Sequence, residues 1–193
     1  MIKSITFKED FRCFRRGEQF AFLPGINLLV GDQGTGKSSL LAAMIRHGNT
    51  TIDFEKDGDV NYSFFDFEKD NPRKKPYVDS AIDVLCRFRS HGEIVNDILS
   101  HLKELGNHIF ITDEPDMALS IRSIHQLIGM MDEAVKRKCQ IIMTAHNPIL
   151  IASQKQVLSL EHRKWMSSKK YIDSQKRPMT REAMRRMRPV DSN

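Results

Sequence analysis

Residues 26–38 constrain this chain more than any other stretch. Ile26-Asn27-Leu28-Leu29-Val30 is a short apolar run of strand character, and it leads straight into Gly31-Asp32-Gln33-Gly34-Thr35-Gly36-Lys37-Ser38. A helix-like segment from Ser39 to Ile45 follows. A Gly-x-x-x-x-Gly-Lys-Ser/Thr turn between a strand and a helix suits one kind of ligand. Backbone N–H groups of the turn and of the helix start wrap phosphate oxygens, the lysine neutralises the β- and γ-phosphates, and the hydroxyl ligates Mg2+. The candidate phosphate-binding residues are therefore Gly31, Asp32, Gln33, Gly34, Thr35, Gly36, Lys37, Ser38 and Ser39. Ser38 is also a candidate metal ligand, and ATP with Mg2+ is the implied ligand pair. At average composition a chance match in such a chain is roughly a one-in-a-hundred event.

The rest of the chain alternates short apolar strands with helices. Ile2 to Phe7 and Gln19 to Leu23 read as strands, Pro24-Gly25 as a turn, and Tyr62 to Phe67 as a further strand. Ile94, Ile98, Leu99, Leu102 and Leu105 fall on one face of a helix that Gly106 can cap. His108 to Thr112 is a buried strand, and Ile121, Ile124, Leu127, Ile128 and Met131 mark another amphipathic helix. Cys139 to Thr144 is a third buried strand. This order predicts an α/β fold with a largely parallel central sheet.

The strand at 108–112 runs into Asp113 and Glu114. Two carboxylates at the end of a buried strand suit a metal-dependent site, Asp113 beside Mg2+ and Glu114 aimed at an attacking water as general base. An acidic helix cap is the plain alternative. Strand ends on one edge of a parallel sheet converge, so these carboxylates can meet the phosphate loop although Lys37 and Asp113 are 76 residues apart.

Taken in order, these residues resemble the ABC-type ATPases, above all the compact branch holding SMC, RecF-like and OLD-type (overcoming-lysogenization-defect) proteins and small stand-alone bacterial and phage ATPases. The loop is similar to that family's Gly-x-Asn-Gly-x-Gly-Lys-Ser form, with Gln33 in place of Asn, and Asp113-Glu114-Pro115 resembles its Walker B motif. Met117-Ala118-Leu119-Ser120 looks like the D-loop, with Ser120 where transporters carry Asp. Ile141 to Leu150 resembles the His-switch stretch, which implies γ-phosphate sensing by His146. Ser90-His91-Gly92-Glu93, 23 residues before Asp113, resembles the signature motif. That match implies that Ser90, Gly92 and Glu93 bind a γ-phosphate held by a second subunit, and so an ATP-dependent homodimer. Phe11-Arg12-Cys13-Phe14-Arg15 resembles the family's segment near the adenosine, where Arg12 either reaches a phosphate or belongs to an ordinary strand connection. No glutamine lies between Gln33 and Gln126, so the family's Q-loop residue is missing. Asp66 or Glu68 takes that role, or both belong to a solvated acidic turn.

The implied architecture is an ABC-like P-loop NTPase: a largely parallel central sheet flanked by helices, with an antiparallel N-terminal β part and a small helical signature subdomain. The ATP-binding domain would span 1–160 with the helical insert at about 70–106, followed by a basic extension, 161–193. That extension holds 10 Lys and Arg against 4 Asp and Glu, so the net charge of +5 resides there rather than in the body. Met179 to Arg188 forms either a basic helix suited to phosphate backbone or a solvated terminus, and Trp165 and Tyr171 read as packing residues of late strands. No apolar run nears the ~20 residues that span a bilayer. The 3 widely spaced cysteines fit a reducing cytoplasm. The expected function is an ATP-hydrolysing dimerisation switch in DNA transactions or phage/host conflict. The alternative is a non-enzymatic, nucleotide-gated scaffold that recruits a nuclease or other effector. A small P-loop kinase fits poorly, having no use for the Asp-Glu-Pro and His-switch pair.

Overall fold

The structure is a computed structural model that describes residues 1–45, 52–56, 61–66, 106–117 and 119–176. The proposed helical insert, with its 94–105 helix, and the segment 177–193 lie outside these, apart from Gly106.

Why a parallel sheet forms here follows from which strands are apolar on both faces. Strands β3 (Ile26–Val30), β6 (His108–Asp113) and β7 (Gln140–Thr144) are nearly continuous apolar runs, as a sheet covered on both sides requires. With β5 (Asn61–Asp66), β8 (Gln156–Ser159) and β9 (Lys164–Ser167) they form a six-stranded sheet in the order β5-β6-β7-β3-β8-β9. All neighbouring pairs are parallel except β8 with β9, which closes the edge antiparallel. A second, antiparallel sheet joins β2 (Gln19–Ala21), β1 (Ile2–Phe7) and β4 (Ile52–Lys56) in the order β2-β1-β4.

The period-2 alternation of side chains sorts the core into two layers. Leu28, Val30, Phe110, Ile141, Met143 and Val157 point to one face. There they meet α2 (Ile121–Lys136), α3 (Pro148–Ser153) and α4 (Ser168–Gln175). Leu29, Ile109, Ile111, Ile142 and Leu158 point to the other, against α1 (Lys37–Ile45) and the antiparallel sheet. Gln140 ties the two sheets: its amide donates to the carbonyls of Ile2 and Leu23 at 2.8 and 3.0 Å and accepts from Ile2 N–H at 2.8 Å.

Two expectations change. Tyr171 lies on helix α4, not on a strand; Ser167 caps that helix by accepting from the Lys170 N–H. Ile121, expected on the apolar face of α2, is 66% exposed, because it is the first helical residue after the Ser120 cap and precedes the turn that meets the sheet.

Candidate nucleotide site

The site gathers at the carboxyl edge of β3, β6 and β7. The glycine-rich loop leaves β3 with Gly31, Gly34 and Gly36 at φ of 145°, 80° and 99°, a region that L side chains avoid. At Gly36 the need is also steric: a Cβ would stand 2.4 Å from Cys13 Sγ and 2.8 Å from Phe14 Cζ. The loop is thus pressed against the Phe11–Phe14 bridge, which stacks through Phe14 on Phe7 at 4.6 Å. Thr35 closes the turn by donating its hydroxyl to the Asp32 carbonyl at 2.8 Å.

Lys37 begins α1 and is only 7% exposed, with Nζ donating to the carbonyls of Gly31 and Asp32 at 2.8 and 3.0 Å. Burial pulls its ammonium below the usual lysine value, while the negative charges of Glu114, Asp113 and Asp32 pull the other way. Asp113 and Glu114 therefore act on the loop lysine from the end of another strand, and Asp32 from within the loop.

Asp113 and Glu114 leave β6 beside the end of β7, and Thr144 links them. Its hydroxyl donates to Asp113 Oδ1 at 2.7 Å and accepts from the Glu114 N–H at 2.7 Å. Glu114 is held at φ 50°, an uncommon conformation for a residue with a Cβ, of the kind that concentrates at functional sites. Its Oε1 lies 3.5 Å from His146 Nε2. A cavity of about 410 Å3 opens here, lined by Gln33, Glu114, Asp116, Met117, His146 and Asn147. Asp66 stands in register with Asp113 on the neighbouring strand, whereas Glu68 lies outside the described residues.

Arg12 donates to Ser39 Oγ at 3.1 Å, which brings it to the first turn of α1. The structure thus brings the loop, Arg12, Asp113, Glu114 and His146 to one edge. Ser90, Gly92 and Glu93 lie outside the described residues. Sequence reasoning gave no role to Thr144, Asp116 or Arg163. Arg163 lies over the Phe14 ring at 4.7 Å, pairs with Glu18 at 3.2 Å, and donates to the Cys13 carbonyl at 3.2 Å and the Thr35 carbonyl at 3.5 Å. Tyr171 reaches the loop from α4: burial and the charges of Asp32 and Glu161 push its phenol up, against a backbone hydrogen bond from Gly31. Among the described residues no three His, Cys, Asp or Glu side chains form a ready metal cage. The donor set instead suits Mg2+, which takes one or two protein oxygens and completes its shell with phosphate and water; Ser38 and Asp113 are the residues of that kind.

A P-loop after β3, an acidic end on β6 and a histidine just past β7, the strand between them, define an α/β domain of the P-loop ATPase fold. The chain belongs to the AAA domain family, whose pattern matches residues 9–177. No curated protein matches the chain in sequence. Among solved structures, an inward-facing metal-chelate type ABC transporter is similar at a TM-score of 0.55 and 16% identity, over 95% of this chain and 88% of that one. An ABC transporter ATP-binding protein from Pyrococcus furiosus gives 0.50 and 13%, over 75% of this chain and 92% of that one. A bacterial Atm1-family ABC exporter with ATP bound gives 0.57 and 17%, over 96% of this chain but only 42% of the exporter. At these identities the likeness is one of fold. None of the described helices is long and apolar enough to cross a membrane.

Proposed function

We propose that this chain is a stand-alone ABC-type ATPase head of the SMC/RecF/OLD-like branch, a switch that dimerises on Mg-ATP and reopens after slow hydrolysis. The observation that carries the reading is the approach of Glu114 Oε1 to His146 Nε2, 3.5 Å, at an edge whose carboxylates act on Lys37. The loop amides and Lys37 hold the β- and γ-phosphates, and Arg12, beside Ser39, reaches the same phosphates. Ser38 and Asp113 would hold Mg2+, which would supply positive charge to the phosphates. Thr144, by engaging one Asp113 oxygen, fixes how that carboxylate faces the phosphates. Glu114 takes the proton of the attacking water, and His146 answers to the γ-phosphate. Ser90, Gly92 and Glu93 close on the nucleotide of the second subunit.

The partner side of the proposal is DNA. Helix α4 is flanked by two grooves of about 600 and 520 Å3, whose lining includes Lys155, Lys164, Lys169, Lys170 and Lys176. Among the described residues their one carboxylate, Asp173, is already paired with Lys176 at 3.2 Å. Among the described residues no Phe, Tyr or Trp lines either groove, which favours phosphate backbone over stacked bases or a protein hot spot.

The deciding experiment uses Glu114→Gln, which keeps shape and removes the base. Wild type should release phosphate slowly from Mg-ATP. The variant should bind ATP uncleaved and sediment as a dimer only with Mg-ATP, and adding Ser90→Arg should abolish the dimer. A monomer at tens of micromolar with saturating ATP overturns the dimer switch. ATP-dependent dimers without phosphate release from wild type would instead support the scaffold reading.

A further inference from the structure

The turn after Glu114 holds a buried carboxylate that none of the roles above uses. Asp116 is 6% exposed, and its Oδ2 accepts from two successive backbone N–H groups, His146 at 2.7 Å and Asn147 at 2.6 Å. Its Oδ1 has no hydrogen-bond partner among the described residues. Burying a carboxylate is costly unless charge-assisted hydrogen bonds compensate it, so this one is committed to that pair of amides. An apolar side chain would fill the same space without leaving an oxygen unpaired. The geometry therefore calls for a reason to hold those two amides in particular.

The reason lies in where the strands stop pairing. The β6–β7 ladder ends at Thr112 opposite Met143, before either Glu114 or His146. Beyond it, two side-chain ties bridge the strand ends. Thr144 reaches back from β7 to the Glu114 N–H, and Asp116 reaches forward to the His146 N–H. Glu114 is thus fixed at φ 50° by one tie, while the backbone that carries the His146 ring is fixed by the other. Asn147, held by the same carboxylate, caps α3 by accepting from Ile149 N–H at 2.9 Å, so the turn is anchored on both sides.

We propose that Asp116 is a positioning residue that acts through His146. Its carboxylate holds the His146–Asn147 backbone so that the imidazole stays within reach of Glu114. The kinetic part of this proposal rests on the reading of Glu114 and His146 as the hydrolytic pair; the structural part does not.

The test uses the full chain, 15N-labelled, as wild type, Asp116→Leu and Asp116→Asn. In the wild type the amide protons of His146 and Asn147 should lie downfield, as donors to a carboxylate. Asp116→Leu should move both upfield and shift the His146 ring signals, while dispersed signals elsewhere report an intact fold. Turnover should fall about tenfold or more with KM for ATP little changed, because the ring is misplaced and not the phosphate loop. Asp116→Asn, which keeps an acceptor oxygen, should restore much of the turnover and return the amide signals toward wild type. It also serves as the probe if Asp116→Leu does not fold. Unmoved His146 ring signals, or a loss carried by KM, would overturn the positioning role. Wild type that binds Mg-ATP without releasing phosphate would overturn the hydrolytic reading instead, and the ring and amide signals would still decide the tie.

Discussion

Lys37 is buried on carbonyl oxygens that a phosphate group would replace. Its ammonium already sits below its ordinary basicity through burial, and Glu114, Asp113 and Asp32 hold it charged. Such a lysine supplies charge at a fixed point, so Lys37→Ala should weaken ATP binding at least about tenfold, or ~1.4 kcal/mol, as titration calorimetry reads it. Unchanged affinity would remove the phosphate-loop assignment. At this scale the sequence displayed whatever was contiguous: Gly31 to Ser38 is legible because each residue's task depends on neighbours in the same turn. Thr144, Asp116 and Arg163 were not legible, because their partners lie far along the chain. Arg163 engages the Thr35 carbonyl 128 residues away, and no local pattern carries that distance. A buried Thr at a strand end was the one available hint.

Among the elements, β3, β6 and β7 were readable to within a residue, because a strand covered on both faces must be apolar throughout. Helix α2 was readable from its 3.6 periodicity, save at Ile121. Leu127, on its inner face and wholly buried, contacts the sheet layer of Phe110 and Met143. Leu127→Ala should cost about 2–5 kcal/mol in urea unfolding, since the rigid sheet cannot collapse into the space. Ser120 accepts from the Ser123 N–H at 3.1 Å, and Ser120→Ala should cost about 1 kcal/mol by the same measurement. Helices α3 and α4 escaped notice: with 6 and 8 residues they are too short for a periodic signal. Their starts rest on single side-chain caps, Asn147 and Ser167, that look like any polar turn residue. The antiparallel edge strand β9, KWMS, mixes charge and apolar groups and has no readable period.

The whole molecule carries its charge asymmetry into its shape, because the excess positive charge begins on β9 and α4 and continues into the 177–193 sequence. If the grooves beside α4 grip phosphate backbone, duplex affinity should fall steeply with salt, and the log–log slope should drop by about 0.9 for each phosphate that is no longer neutralised. Lys164→Glu with Lys169→Glu and Lys170→Glu, measured by fluorescence anisotropy across a salt series, should therefore flatten the slope. An unchanged slope would move any nucleic-acid surface elsewhere on the molecule. The strand order has a different consequence, one of time. On β3, Ile26 pairs with Ile141, Leu29 with Leu158 and Val30 with Ser159. The strand that presents the phosphate loop leaves the ribosome more than a hundred residues before its neighbours β7 and β8. Until then neither β7 nor β8 is there to brace the loop. A stalled or cleaved product ending before β7 would therefore carry the whole glycine-rich motif without either strand that flanks it in the sheet.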